Sequence, residues 1–500
     1  MPDAYYRISS NKSEADETLY QHNRLIEKLK VLAVGRPEGI PSFSDIRQTH
    51  RFPIKTEYRP CIVMSNDLVK HTTNTSQFIT GYNGDIQAQM YLKIFISAGT
   101  ITQVAANEYG WSFCRNFVPA LIKKIAFKIQ GDIITEFSGE VLYLYSQWFV
   151  TADRRAALMR LWRETVVELD YGLVGSSGAG GAASNLAYNI ALTSYVARHP
   201  HTPLQANIST RAASHVFVPL DALALTRSLE QSFPLSPLYA LERVVEFEYN
   251  DIRACINVFP TDGTPAGYVD PDFAQTVILW PFIPAITSTE LYVNYILVHR
   301  DLQRILSMNG YGYVIRQFST DSISVVDANT RELSYTKVVE WVGLIGRLTS
   351  SIARAPDTAT VDVDGAGAGI ITLPGATRVD PFGVAVDVDP ISDVDVTARG
   401  QTFYKELTWT EMSAMFGYTT GGKDFHSQID RSAAVVPFTQ RISMEDFLGS
   451  YNSGYGPNLT FKWRATAFAA GVLTAGTLTF VLCTANAFAA YRGTATVRYT

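Results

Sequence analysis

Between Leu121 and Trp148 the chain reads LIKKIAFKIQGDIITEFSGEVLYLYSQW, and Ile125, Phe127 and Ile129 alternate with Lys124, Ala126 and Lys128. A period of two is that of a strand with one wet face. Gln130-Gly131-Asp132 breaks the run with turn residues, Ile133 and Ile134 resume it, and Val141–Tyr145 closes it. The pattern predicts a β-hairpin followed by an aromatic patch at Tyr143, Tyr145 and Trp148. The same period recurs. Asp85–Ser97 places Met90, Leu92, Ile94 and Ile96 on one face, and Val216 and Val218 flank Phe217 before Pro219 ends the run. Leu241–Phe247 reads as another strand, Leu291, Val293, Tyr295 and Leu297 alternate with their neighbours, and Tyr313–Gln317 is extended again. Val435–Phe438 and the stretch opening at Pro457–Phe461 complete the series.

Helical spacing is rarer. Ser13 is an N-cap candidate, Asp16 and Glu17 fill an acidic first turn, and Leu19, Leu25, Ile26, Leu29 and Leu32 follow. An amphipathic helix is expected over Glu14–Val34, stopped by Gly35 and Pro37. A second is expected over Thr151–Leu169, with Leu158, Leu161, Trp162, Val166 and Leu169 on one stripe. A short helical piece follows Asp301 through Leu302, Ile305 and Leu306. Ala465–Tyr491 holds no charge and is long enough for a membrane helix. Yet Thr477, Thr479 and Val481 alternate with Leu478, Phe480 and Leu482, so two buried strands are the expectation.

Five hundred residues exceed what one core organises, so at least two domains are expected. With 47% hydrophobic and 12% aromatic residues, large cores are within reach. The net charge of −5 gives no sign of a basic nucleic-acid face, and leaves a local basic patch open. Cys61, Cys114, Cys255 and Cys483 form no CxxC pair, which points to buried free thiols. The opening MPDAYYRISSNKSEADE is polar, so no signal peptide is expected, and the Asn-x-Ser/Thr sequons at Asn11, Asn74, Asn207 and Asn458 are read as chance.

Candidate chemistry is thin. Gly175–Gly181 (GSSGAGG) lacks the Lys-Ser/Thr of a phosphate loop. His199 and His201 form an HxH without a following Glu and distal His, and are assigned to a loop. Asp362, Asp364 and Gly365 could begin a calcium loop, but Leu373 stands where a distal Glu is needed. There is no GxSxG and no HExxH. No catalytic, cofactor-binding or metal residues are therefore expected, and the chain is read as no enzyme.

Several stretches, in this order, resemble the double jelly-roll major capsid proteins of nucleocytoplasmic large DNA viruses. Thr49 and Phe52, then Gly84-Asp85-Ile86, match an early Arg-x-Thr-x-Phe segment and a Gly-Asp-Leu/Ile strand. The Lys124–Gly131 strand matches a block ending in Gly-Gly, with Gln130 replacing the first Gly. Val218-Pro219-Leu220, and then Leu235, Pro237, Leu238, Ala240 and Leu241, match a Val-Pro-Leu strand and a Leu-Pro-Leu-x-Ala-Leu stretch. Ala222-Leu223-Ala224 stands where the family has an aromatic triplet. Val293, Tyr295, Leu297, Asp301, Arg304, Tyr313, Ile315 and Gln317 match the opening of the second jelly-roll, with Asn294 in place of an Asp. Glu332–Val342 resembles the next strand, ending in an aromatic such as Trp341, and Gln428–Phe461 the block before the last strands.

The resemblance implies an all-β fold of two consecutive eight-stranded antiparallel jelly-rolls with few short helices and long loops. The expected division is an N-terminal arm with its amphipathic helix over 1–45, a first jelly-roll over 46–258, a linker over 259–288 around PTDGTPAGYVDP, and a second jelly-roll over 289–500. It also implies a structural role: a homotrimeric pseudo-hexagonal capsomer tiling an icosahedral shell in the virion, assembled in the host cytoplasm. Loops 170–213 and 351–400, the latter alternating Val with Asp, become candidates for the outer tower. Partners would be further copies, minor capsid proteins and the inner membrane beneath the shell, with no direct nucleic acid. The alternatives are a minor capsid paralogue of the same fold, or a carbohydrate-binding or hydrolytic β-sandwich. The latter would be marked by exposed aromatics lining a groove with paired carboxylates.

Overall fold

The computed structural model describes residues 55–68, 74–102, 109–113, 116–150, 152–162, 210–211, 213–220, 233–235, 238, 241–260, 277–282, 284–298, 311–324, 330–333, 338–348, 369–372, 391–398, 401–419, 433–440, 442, 449–452, 459–465, 476–491 and 494–498. The arm over 1–45, the glycine loop at Gly175–Gly181, His199, His201, Asp362 and Asp364 lie outside them.

The first barrel is built from β1 (Lys55–Pro60), β2 (Ile62–Asp67), β3 (Asn74–Ile79), β4 (Ile86–Ile96), β5 (Ile122–Ile129), β6 (Asp132–Ser138), β7 (Ser214–Pro219), β8 (Arg243–Tyr249) and β9 (Ile286–Leu297). Sheet 1 runs β1-β9-β4-β7 and sheet 2 runs β2-β3-β8-β5-β6, all antiparallel. The second barrel uses β10 (Tyr311–Ser324), β11 (Thr330–Leu333), β12 (Val338–Leu348), β13 (Ile391–Ala398), β14 (Gln401–Thr408), β15 (Ala433–Pro437), β16 (Leu459–Ala465) and β17 (Gly476–Tyr491). Sheet 3 runs β10-β17-β12-β15 and sheet 4 runs β11-β16-β13-β14. The order of sheet 3 repeats that of sheet 1, and β14 ends sheet 4 as β6 ends sheet 2. The fold is a double jelly-roll, as expected.

The period-two runs become strands with the expected inner faces. Leu92, Ile94, Val216, Val218, Leu291 and Val293 line one wall of the first core, with Phe78, Ile125, Phe127, Val245 and Phe247 opposite. Burying each of these side chains contributes on the order of 2 kcal/mol. The outer face of sheet 2 is wet, and Lys124–Glu136 (3.0 Å), Lys123–Glu248 (3.4 Å) and Lys128–Glu246 ladder across it. Each such exposed pair adds little.

Four expectations are corrected. Val141–Tyr145 is not extended. Gly139–Trp148 is a helix, α2, between α1 (Phe117–Leu121) and α3 (Ala152–Leu161). Eight of its ten residues are buried, so its apolar run carries no period that would separate helix from strand. Gly139 is required there, because a Cβ would collide with the carbonyls of Pro119 and Ile122. Second, β9 completes the first barrel, pairing with β1 and β4. The stretch expected to open a second jelly-roll at 289 therefore closes the first, and the second begins at β10. The expected linker over 259–288 includes the strand Val277–Phe282 and the start of β9. Third, Trp341 lies mid-strand, since β12 runs on to Leu348. Fourth, among the described residues of the uncharged C-terminal run, the alternation at Thr477–Leu482 belongs to one 16-residue strand, β17, and the strand before it, β16, ends at Ala465, the first residue of the run. No helix among the described residues is long and apolar enough to cross a membrane.

Loops from both barrels meet in a further sheet, ordered Gly369–Thr372, Val277–Phe282, Gly99–Thr102, Thr210–Arg211. It draws on both loop regions expected to form a tower, through the end of 170–213 and the interior of 351–400. At the other end of the first barrel, the β5–β6 hairpin turns on Gln130 (φ 52°) and Gly131 (φ 89°). Two positive φ values define a type I′ turn, which suits Gly, Asn or Asp better than Gln. Gln130→Gly is expected to raise stability by roughly 0.5–1 kcal/mol and Gly131→Ala to lower it by about 1 kcal/mol, read from denaturant midpoints.

Candidate assembly interface

Sheet 3 is buried on both sides. Val338 to Gly346 of β12 are all buried, as is every residue of β15. One face lines the second core; the other is covered by β6 and α2 of the first barrel. Along β6, Thr135 Oγ1 donates to the Arg316 carbonyl at 3.1 Å, and Gln317 Nε2 donates to the Ile134 carbonyl at 3.0 Å. Phe137 meets Phe318 edge-on at 6.4 Å between centroids. From α2, Trp148 packs T-shaped on Trp341 at 5.6 Å, and Phe149 lies 6.4 Å from the same ring. Gly343 lets them approach, since a Cβ there would stand 2.6 Å from Leu144 Cδ1 and 3.2 Å from Trp148.

An ion pair is enclosed in sheet 3 beside this seam. Arg316 Nε donates to Glu340 Oε2 at 2.9 Å, with both residues under 9% exposed. Burial pushes the Glu340 carboxyl above its ordinary value, and the Arg316 guanidinium opposes that push. Cys483, paired in register with both Phe318 and Trp341, is a free thiol driven upward by the same burial. Cys61 is pushed up to about 12, so neither thiol is primed as a nucleophile.

The remaining candidates change character once placed. Tyr143 is fully buried, Tyr145 stacks on Phe149, and Trp148 is a seam residue, so the expected aromatic patch is internal packing. The Asn74 sequon sits on β3 with Asn74 5% exposed. Among the described residues no three His, Cys, Asp or Glu side chains cluster to hold a metal. The sequence reading missed the pairing of Arg316 with Glu340. Its trace was visible, because a single charge inside VVEWVGLIG and another inside YGYVIRQF each demand a buried partner.

Residues 60–299 match the family model described as the major capsid protein N-terminus. No curated protein matches the chain. Among solved structures, the Faustovirus major capsid protein aligns with a TM-score of 0.61 at 14% identity, over 95% of this chain and 98% of that one. The capsid of PBCV-1 aligns at 0.54 and 14% identity over 90% and 97%. PBCV-1 VP54, fitted into a reconstruction of the virophage Sputnik, aligns at 0.55 and 13% over the same shares. These likenesses fix the fold.

Arg316→Met strands a carboxyl in the seam, where it must keep its proton. Its folded pKa then lies further above the unfolded value, so the penalty is small in acid and grows as pH rises. We expect a loss of about 3 kcal/mol at pH 8 and clearly less at pH 5, while the double variant Arg316→Met/Glu340→Met regains most of it and loses the pH dependence. Urea unfolding at the two pH values checks this.

Proposed function

We infer that this chain, whose residues 60–299 carry the major capsid protein N-terminal family, is a structural capsid protein of the virion shell. The observation that carries the reading is the repeated barrel itself. Two jelly-rolls with the same sheet order are locked side by side by β6 and α2, which makes one chain a rigid two-barrel block. Three such blocks present six barrels, the outline of a pseudo-hexagonal capsomer able to tile an icosahedral shell. The work of such a protein is burial of surface between copies, not catalysis.

The finer parts follow the same reading. The loop sheet at one end of the barrels would form the outward tower. The segment over 1–45 would face inward, toward minor capsid proteins or the inner membrane, and assembly would take place in the host cytoplasm.

Light scattering on the purified protein is expected to give a species of three times 55.3 kDa, and a stable monomer would contradict the capsomer. Deleting residues 1–45 is expected to leave that mass unit intact while abolishing incorporation of minor proteins into assembled shells. Unchanged incorporation would remove the arm from the account.

A further inference from the structure

A stripe of aliphatic side chains crosses the outer face of sheet 2 near one end. Ile62 of β2 pairs with Ile79 of β3, Ile79 with Val244 of β8, Val244 with Lys128 of β5, and Lys128 with Ile133 of β6. The row runs through all five strands of the sheet, and only Lys128 in it is charged, with Glu246 as its partner. Ile62 is 68% and Ile133 41% exposed, while Ile79 and Val244 are half-buried. The strand β2 widens the stripe at its edge, because every residue of β2 is exposed, including Val63 and Met64. A sheet edge with three consecutive exposed apolar residues is a surface that folded proteins ordinarily cover. Elsewhere the same face carries the Lys–Glu ladder.

The chain itself supplies a cover of the right kind, size and starting point. The spacing over Glu14–Val34 predicts an amphipathic helix with Leu19, Leu25, Ile26, Leu29 and Leu32 as its apolar positions. Such a helix is about 31 Å long. The stripe covers four steps between strands, about 19 Å. Arg24, Glu27, Lys28 and Lys30 give the helix both signs of charge to set beside a ladder of both signs. The place of entry also fits. Ile79 ends β3 and Ile86 begins β4; Ile86 pairs with Ile296, whose neighbour Leu297 pairs with Lys55, the first residue of β1. The stripe and the start of β1 therefore share one end of the first barrel, the end away from the loop sheet, which is reached from Ile96 at the far end of β4. Residues 35–54 join the helix to β1, and a chain of that length can span up to about 65 Å.

We propose that residues 14–34 dock across the Ile62–Ile79–Val244–Ile133 stripe of the first barrel in the same chain, with the apolar side of the helix on the stripe. The docking concerns the chain by itself. It goes beyond the structural capsid reading and does not require it. The helix removes from water the aliphatic row of a sheet face that is otherwise charged, and it closes the edge at β2 to pairing with other strands. The arm is then held at the end of the barrel where it enters.

Two measurements on the full-length chain test this. In the first, brief trypsin treatment follows cleavage after Arg24, Lys28 and Lys30 in the unaltered protein, in Leu25→Asp/Leu29→Asp and in Ile62→Asp/Ile133→Asp, with circular dichroism to follow the fold. Release of a docked helix is expected to speed cleavage roughly tenfold or more in both variants. In the second, Ile26→Cys/Val244→Cys, the middle of the helix and the middle of the stripe, is treated with a short bis-maleimide and the link is mapped by mass spectrometry. A link between residues 26 and 244 at the mass of one chain supports the docking even if an Asp variant fails to fold. Equal cleavage rates in all the folded proteins together with no such link overturn it. A link found only at the mass of two chains also overturns it, and gives the stripe to the arm of a neighbouring copy. The capsid reading is decided separately by the native mass: a trimer with a freely cleaved arm leaves that reading standing and ends this one, and a monomer with the link does the reverse.

Discussion

Everything in this molecule depends on covering the second face of sheet 3. A jelly-roll normally buries one face of each sheet and leaves the other to water. Sheet 3 carries Trp341, Gly343, Phe318 and an Arg–Glu pair on or beside its outer face, a surface that water would not tolerate for long. The first barrel supplies the cover through β6 and α2, so the two domains are a single packing problem. Gly343 and Gly139 are the places where the fit is tightest, one admitting Leu144 and Trp148, the other letting α2 lie against the α1 backbone.

Several buried ionisable groups among the described residues are tied to structural neighbours. Glu340 answers Arg316, Arg243 donates to the carbonyls of Thr80 and Gly81 at one end of the first barrel, and Tyr249 shares a hydrogen bond with Ser76 inside it. Each satisfies a neighbour rather than facing a cleft. The two outer faces of the first barrel differ: Lys–Glu ladders cross sheet 2, whereas on sheet 1 the rings of Tyr58, Tyr91, Tyr292 and Phe217 lie beside a Lys93–Glu290 pair.

The strands of the first barrel were readable because one face of each sheet is wet. Ile125, Phe127 and Ile129 against Lys124 and Lys128, or Leu92 and Ile94 against Tyr91 and Lys93, carry their own period. Where both faces are buried the period vanishes, and that is why α2 looked like a strand. Sheet membership was not readable at all. The alternation of Leu291, Val293 and Tyr295 says strand, but only the pairing of Tyr292 with Tyr91 and of Tyr295 with Glu57 says that this strand belongs to the first barrel. The seam was hidden for the same reason. Thr135 and Arg316 lie 181 positions apart, and nothing local marks a threonine that will meet a carbonyl across a domain boundary.

The proposed function rests on one chain being a rigid pair of like barrels that associates with its own kind. Class averages of the purified protein by electron microscopy test this most directly. Threefold particles with six lobes of equal size, two from each chain, are expected. Isolated two-lobed particles, or threefold particles whose lobes within a chain separate and vary in spacing, would contradict it.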